Sequence, residues 1–78
     1  MKEYDIEMFL DLNEPSFDFN GKQYSVCHVN GVYGTWDSDG NTFDFHSLSD
    51  LLENWIFDGK PFRQVVEMVM AEYNYMPE

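Results

Sequence analysis

Short apolar runs alternate with turn dipeptides through the middle of the chain. Asn-Gly occurs twice, at 20–21 and 30–31, each time between two apolar runs. These two residues supply the positive φ angles of a type I′ turn, and the dipeptide is the strongest short-range signal for a β-hairpin. The pattern therefore predicts an antiparallel meander of four short strands, near 16–19, 23–29, 32–37 and 42–46.

Turn length determines which side chains share a face of this predicted sheet. A two-residue turn at 39–40 would place Phe43 opposite Trp36. It would place Phe45 opposite Gly34, on the same face of the sheet as Phe43 and Trp36. The other face carries Phe17, Phe19, Tyr24, Val26, His28 and Tyr33. Both faces are thus partly apolar, which leaves two alternatives open: helices cover one face and a partner the other, or a bulge near Gly34 changes the alternation.

The first segment of the chain has two interpretations. Every second residue from Tyr4 to Leu12 is apolar, which is typical of a strand. The same residues fit a short helix with Asp5 as its N-cap and Tyr4 packed on Phe9. Because Glu, Met and Leu favour a helix over a strand, we expect a helix that ends before Pro15.

The last third of the chain has helical periodicity. Ser47, followed by Asp50 three residues later, is an acidic form of the capping box and predicts the start of a helix. The buried face of this helix, at i, i+3, i+4, i+7 and i+8, is Leu48, Leu51, Leu52, Trp55 and Ile56. We expect the helix to end at Asp58-Gly59 and the next to start at Pro61. The second apolar stripe is Phe62, Val65, Val66, Val69 and Tyr73.

Together these patterns predict one α+β domain over 1–78, in which two C-terminal helices and a short N-terminal helix pack on a small antiparallel meander sheet. Seventy-eight residues leave no room for a second core. Seven Phe, five Tyr and two Trp separate the chain from disordered acidic segments. We therefore expect a folded core that includes both Trp36 and Trp55.

Charge changes the functional picture more than any motif does. Fifteen Asp and Glu stand against four Lys and Arg, which gives a formal net charge of −11. No cationic side chain lies between Lys22 and Lys60, where the chain carries Asp37, Asp39, Asp44, Asp50, Glu53 and Asp58. Such a field repels nucleic acid and anionic lipid and attracts basic proteins. The expected partner is therefore a basic protein surface, and neither nucleic acid nor a membrane.

Cysteine usage and hydropathy indicate a compartment. A single cysteine, Cys27, excludes an internal disulfide framework and fits a reducing environment. No segment approaches the roughly 20 apolar residues that a membrane-spanning helix needs, and no cationic start precedes an apolar run. A soluble, cytoplasmic protein is the expectation.

The stretch "DSDGN" at 37–41 is the candidate cation site. An EF-hand loop needs glycine at position 6 and a bidentate Glu at position 12. Counted from Asp37, the glycine falls at position 4 and position 12 is Leu48. Asp and Asn tolerate the φ values of tight turns, so we interpret the stretch as a hairpin turn, with a weak cation site as the alternative.

No combination of residues identifies a reaction. Adjacent residues of a strand point to opposite faces, so Cys27 and His28 cannot act as a nucleophile and its base. Two histidines and one cysteine are too few for a closed zinc site. The sequence therefore predicts a protein that is not an enzyme and that uses no metal and no cofactor.

Six residues are the candidates for partner binding, namely Asp37, Asp39, Asp44, Asp50, Glu53 and Tyr33. Tyr33 is included because tyrosine is enriched at interaction hot spots. On an extended segment Asp37 and Asp39 would lie about 6.5–7 Å apart, and on one helix Asp50 and Glu53 would lie about 5–6 Å apart. B-DNA carries one charge per ~1.7 Å of its axis, so such pairs can imitate a row of phosphates.

The pattern "F-NGK-YSV…NG-Y-TWDSDG…F-SLSDLLENWI-DGKPF" covers most of the chain and resembles small uncharacterised acidic proteins of bacterial phages and integrative elements. In element order and charge, with no shared motif, the chain is also similar to compact anti-CRISPR proteins that occupy the DNA-binding channel of a Cas nuclease. This resemblance implies a nucleic-acid-mimicking inhibitor of a basic DNA-binding enzyme. The alternative is a non-catalytic structural or adaptor domain whose acidity only serves solubility.

Overall fold

Nine short elements build the fold in a computed structural model, which describes residues 2–73 of the chain. They are α1 (Glu3–Asn13), β1 (Ser16–Phe19), β2 (Lys22–Val29), β3 (Val32–Asp37), β4 (Thr42–Phe45), α2 (Leu48–Asn54), β5 (Ile56–Phe57), β6 (Lys60–Pro61) and α3 (Phe62–Glu72). The predicted α+β class and the N-terminal helix are confirmed. No helix within 2–73 is long and apolar enough to cross a membrane.

The N-terminal helix starts before the predicted cap. α1 follows Lys2, which has extended backbone angles and makes no side-chain cap, and Asp5 lies buried in the first turn instead. Phe9 is fully buried, whereas Tyr4 is mostly exposed. At the end of the helix, the side-chain amide of Asn13 donates to the Phe9 carbonyl at 3.0 Å, and the Glu14 amide donates to the Leu10 carbonyl at 3.0 Å.

The first three strands pair as the two Asn-Gly dipeptides require. The sheet is an antiparallel meander in the order β1-β2-β3-β4. Asn20 and Asn30 adopt φ angles of 51° and 52°, and the glycines that follow them are also at positive φ. Both turns are therefore two-residue turns, and across the second one Cys27 lies opposite Gly34.

The third turn is longer than predicted, and this shifts the register of β4 by one residue. Trp36 lies opposite Thr42, and the Asp37 amide donates to the Asn41 carbonyl, which leaves three residues, 38–40, in the turn. Phe43 therefore lies opposite Thr35 and Phe45 lies opposite Tyr33. The predicted pairing of Phe43 with Trp36 is wrong. Because side chains alternate along a strand, the shift moves both phenylalanines to the face that holds Tyr33.

The helices cover one face of the sheet and leave the other open. One hydrophobic core joins α1, α2 and α3 to the face that carries Val26, Tyr33 and Phe45. On the open face Trp36 is 47% and Val29 is 59% exposed. Trp36 is therefore not a core residue, contrary to the prediction. Strand pairing continues on both sides of β3 without interruption, so no bulge changes the alternation.

The second predicted helix is shorter than its periodicity indicated. α2 ends at Asn54, and β5 pairs with β6 as a small separate hairpin. Asp58 and Gly59, at φ angles of 51° and 80°, form the turn of this hairpin rather than only the end of a helix. Ile56 is consequently exposed, which corrects its predicted place in the core, while Phe57 is fully buried.

The last helix buries four of the five residues of the predicted stripe, and the fifth, Tyr73, joins the end of the described chain to the sheet. α3 follows Pro61 directly, and its buried residues are Phe62, Val65, Val66, Val69 and Met70. Tyr73 is exposed at the C-cap, contrary to its predicted place in the buried stripe, although its ring meets that of Phe9 edge-on at 5.5 Å. Its hydroxyl accepts from the Ser16 amide at 2.8 Å and donates to the Ser16 carbonyl, so the last described residue is held against β1.

Trp55→Ala is expected to lower the free energy of unfolding by roughly 3–5 kcal/mol, since it removes a buried aromatic side chain. The Trp55 ring is 4% exposed and lies 4.7 Å from the ring of Phe62 and 4.8 Å from that of Phe57, centroid to centroid. Trp36→Ala makes the same change on the open face and should cost less than about 1 kcal/mol. Urea unfolding of both variants measures the two losses, and similar losses would contradict the assignment.

Candidate protein-binding surface

The five candidate carboxylates lie on neighbouring parts of the structure, around the edge strand β4. Asp37 is the last residue of β3, and Asp39 lies in the turn that leads to β4. Asp44 belongs to β4 itself, while Asp50 and Glu53 are both on α2, which packs against β4. The structure therefore brings these five residues to the β4 edge of the sheet, where the Asp44 side chain lies beside Gly34 on the open face and α2 lies on the opposite face.

Tyr33, the sixth candidate, is not at the surface. Its side chain is 2% exposed, because the face that carries it is the one covered by the helices. The ring stacks on the imidazole of His28 with centroids 3.9 Å apart. Burial, with the nearby carboxylates of Asp11 and Glu7, raises the pKa of Tyr33 to about 12. The choice of Tyr33 as a contact residue is therefore wrong.

The stretch 37–41 is a turn built around the carboxylate of Asp37. Oδ1 of Asp37 accepts from the amides of Asp39 and Asn41 at 2.9 and 3.1 Å, and Oδ2 accepts from the Asn41 side chain at 3.1 Å. Gly40 adopts a φ of 87°, and its amide donates to the Asp37 carbonyl. The interpretation as a hairpin turn is confirmed. Among residues 2–73, no group of three His, Cys, Asp or Glu side chains is placed to hold a metal ion.

Lys22 joins the two carboxylates of this turn. Its Nζ lies 3.3 Å from Oδ2 of Asp37 and 3.1 Å from Oδ2 of Asp39. The same ammonium group lies over the ring of Tyr24, 5.4 Å from the centroid. The hydrogen bond with Asp39 raises the pKa of Lys22, with Asp37 adding to it against a partial offset from burial. Asp39 sits in the turn, so the spacing predicted for two carboxylates on an extended segment does not apply.

Asp50 lies on α2 as predicted and completes the capping of that helix. Oγ of Ser47 accepts from the Asp50 amide at 3.0 Å. In return, Oδ2 of Asp50 accepts from the amide of His46, one residue before the cap, at 3.2 Å. Oδ1 of Asp50 accepts from the side-chain amide of Asn54 at 2.7 Å. The predicted capping interaction is confirmed, and it occupies both carboxylate oxygens.

Glu53 takes part in an ion-pair network that links the three helices. Nε of Arg63 on α3 donates to Glu53 on α2 at 2.5 Å, and Nη2 of the same guanidinium donates to Glu3 on α1 at 3.1 Å. These two hydrogen bonds raise the pKa of Arg63. Lys22 and Arg63 thus each hold two carboxylates. The sequence signal for this sharing is the shortage of cations, although spacing alone does not reveal which carboxylates are chosen.

A cleft of about 370 Å³ opens between the sheet and the segment that follows α2. Four aromatic rings line it, those of Tyr24, Phe43, Phe45 and Trp55. Asn41 and Asn54 also line the cleft, as does Ile56 at its rim. Sequence reasoning missed this cleft, because it depends on the register that brings Phe43 and Phe45 to the helix-covered face.

No protein-family model, curated protein or solved structure matches the chain. The similarity to acidic phage proteins and to anti-CRISPR proteins, which comes from the sequence pattern and the charge, therefore stays a prediction.

Asp37→Asn is expected to destabilise the protein at neutral pH, by an amount that shrinks in acid. Burial alone would raise the pKa of Asp37, but the hydrogen bonds from Asn41 and Asp39, with that of Lys22, outweigh it and lower the pKa below its ordinary value of 3.8. The stabilisation is therefore present above the unfolded pKa and is lost as the pH falls through the folded pKa. Urea unfolding of both proteins between about pH 7 and pH 2.5 measures the difference.

The control for this pH series is Asp44→Asn. The Asp44 side chain makes no hydrogen bond or ion pair with residues 2–73, so its substitution should give a small difference that does not follow the pH profile of Asp37→Asn. A constant effect of Asp37→Asn from neutral to acid pH would show that the Asp37 carboxylate does not stabilise the turn as an anion.

Proposed function

We propose that this protein binds a basic protein surface through the carboxylates around β4, and that it occupies the nucleic-acid channel of a DNA-binding enzyme without catalysing a reaction. The observation that carries the proposal is the excess of fifteen carboxylates over four cations. The exposed side chains of Asp39 and Asp44 offer direct contacts on this surface. In this proposal the protein acts in the cytoplasm, in keeping with its free cysteine.

Internal ion pairing does not remove the negative charge of this surface. Asp37 and Asp39 share the single ammonium of Lys22, and Glu53 and Glu3 share the single guanidinium of Arg63. Two carboxylates and one cation leave each of these groups with a net charge of about −1 at neutral pH. A basic partner therefore meets a negative electrostatic field even at the carboxylates that are already paired with Lys22 or Arg63.

The size of the charge is sufficient for competition with nucleic acid. The longest dimension of the molecule is 34 Å, and a B-DNA duplex of that length carries about 20 charges. The formal net charge of −11 is about half of that. Much of the affinity of nucleic-acid-binding proteins comes from phosphate contacts, so a body with this charge density has the means to compete for the same Lys and Arg side chains.

A second function, that of a structural or adaptor domain, is favoured by a different observation. Asp37, Asp50 and Glu53 each have a local structural role, in the β3–β4 turn, the cap of α2 and the link between the helices. Their presence is therefore explained without a partner. In that case the remaining charge serves solubility. The two functions differ in whether nucleic acid competes with the partner.

Immobilised protein, incubated with a bacterial lysate at about 50 mM salt, is expected to retain basic DNA-binding enzymes. Because exposed charges are screened strongly at higher ionic strength, the retained enzymes should elute by about 300 mM salt. A short DNA duplex at low salt should release them too, since it occupies the same channel. Retained proteins that ignore the duplex would favour the adaptor function, and an empty eluate would contradict the proposal.

The double substitution Asp39→Asn with Asp44→Asn should weaken binding of the captured enzyme by roughly tenfold, as it removes two exposed charges from the proposed surface. Glu7→Gln with Glu72→Gln removes the same charge from α1 and α3 and is the matched control. Titration of each protein with the purified enzyme measures the loss. Equal losses for the two variants would place the interaction elsewhere on the molecule.

A further inference from the structure

The aromatic cleft beside β4 combines apolar walls with an acidic edge. The rings of Tyr24, Phe43 and Trp55 line it, and so does Asp37, which Lys22 connects to Asp39. Its volume of about 370 Å³ lies within the range of ligand pockets, roughly 300–1,000 Å³. The cleft is therefore large enough to receive a group from a partner, and its edge selects against anions.

The position of Lys22 indicates that this cleft stabilises a cationic group. Its ammonium group lies over the Tyr24 ring and contacts Asp37 and Asp39. A cation over an aromatic face is stabilised by the quadrupole of the ring. Since one ammonium stands against two carboxylates, the cleft stays negative and attracts a second cation.

The two asparagines of the cleft offer acceptors to such a cation. Nδ2 of Asn41 donates to Asp37, and Nδ2 of Asn54 donates to Asp50. Their side-chain oxygens accept no hydrogen bond from residues 2–73 and remain as acceptors. A ligand that fits must therefore be rich in donors, and a guanidinium group carries five N–H donors and no acceptor.

The rim of the cleft favours a cation on a long apolar stem. Phe43 and Ile56 are 55% and 52% exposed there, so each leaves apolar surface in contact with water. An arginine covers such surface with its methylene groups and stacks its planar head on aromatic rings. Lysine lacks the planar head, and its ammonium is more strongly hydrated.

We infer that this cleft receives an arginine side chain of the basic partner, with the guanidinium stacked on the aromatic rings and hydrogen-bonded to the oxygens of Asn41 and Asn54. The inference rests on the proposed function and adds to it the residue type that is recognised. An apolar side chain fits less well, because it would leave both amide oxygens desolvated without a donor.

The probes are two acetylated, amidated peptides that carry four arginines or four lysines, each separated by glycine. The two peptides have the same charge, so any difference between them reports the head group. In a Trp36→Phe background Trp55 is the one tryptophan of the sequence, and its fluorescence reports the cleft. The arginine peptide is expected to bind about tenfold more tightly than the lysine peptide and to change the emission of Trp55.

In the same background, Phe43→Ala should weaken the arginine peptide by about five- to tenfold and reduce its advantage over the lysine peptide. Val29→Ala truncates a side chain that is 59% exposed on the open face, and it should change neither affinity. Both substituted residues are exposed, so circular dichroism should show that both variants keep the fold.

The outcomes separate the inference from the proposed function. If both peptides bind equally at low salt and Phe43→Ala has no effect, the arginine site is refuted while docking of basic surfaces stands. If neither peptide binds in dilute buffer, the proposed function fails together with the inference.

Discussion

The carboxylate of Asp37 is the constraint on which the sheet and the cleft depend. By accepting hydrogen bonds from Asp39 and Asn41, it closes a three-residue turn where a two-residue turn was predicted. That turn length sets the register of β4, and the register places Phe45 in the core and Phe43 on the wall of the cleft. One ionised side chain thus determines which face of the edge strand meets the helices.

Much of the fold could be predicted, because its strongest signals are local. Asn20-Gly21 and Asn30-Gly31 need only their own backbone angles to form turns, and the meander follows from them. Gly40 carries a similar signal, but there the side chain of Asp37 competes for the amides of the turn and lengthens it. Asp58-Gly59 is the opposite case, since a hairpin turn forms there although the helical periodicity of Leu48–Ile56 predicted a helix that continues almost to it. A turn dipeptide therefore predicts well where the chain reverses direction, but it predicts the number of residues in the turn poorly.

The negative charge of the candidate surface could be predicted from the sequence, whereas the residues that form it and their contacts could be predicted only in part. Net charge is a sum over the sequence, whereas the bonds that occupy a carboxylate depend on which elements meet. Arg63 illustrates this, because it binds Glu53 on one helix and Glu3 on another, residues that lie far apart in the chain. The prediction of Tyr33 as a contact residue was wrong for the same reason. Long-range packing determines which face of the sheet the helices cover, and no local sequence pattern indicates it.

The shortage of cations links the stability of this protein to its proposed role. Each of two cations already holds two carboxylates, so further carboxylates repel one another without internal compensation. Such self-repulsion destabilises the compact state. A basic partner that supplies the missing cations relieves the repulsion, and a partner that binds only the folded form also stabilises it by mass action. In the proposed function, the charge that weakens the isolated domain is therefore the same charge that would favour a complex with a basic partner.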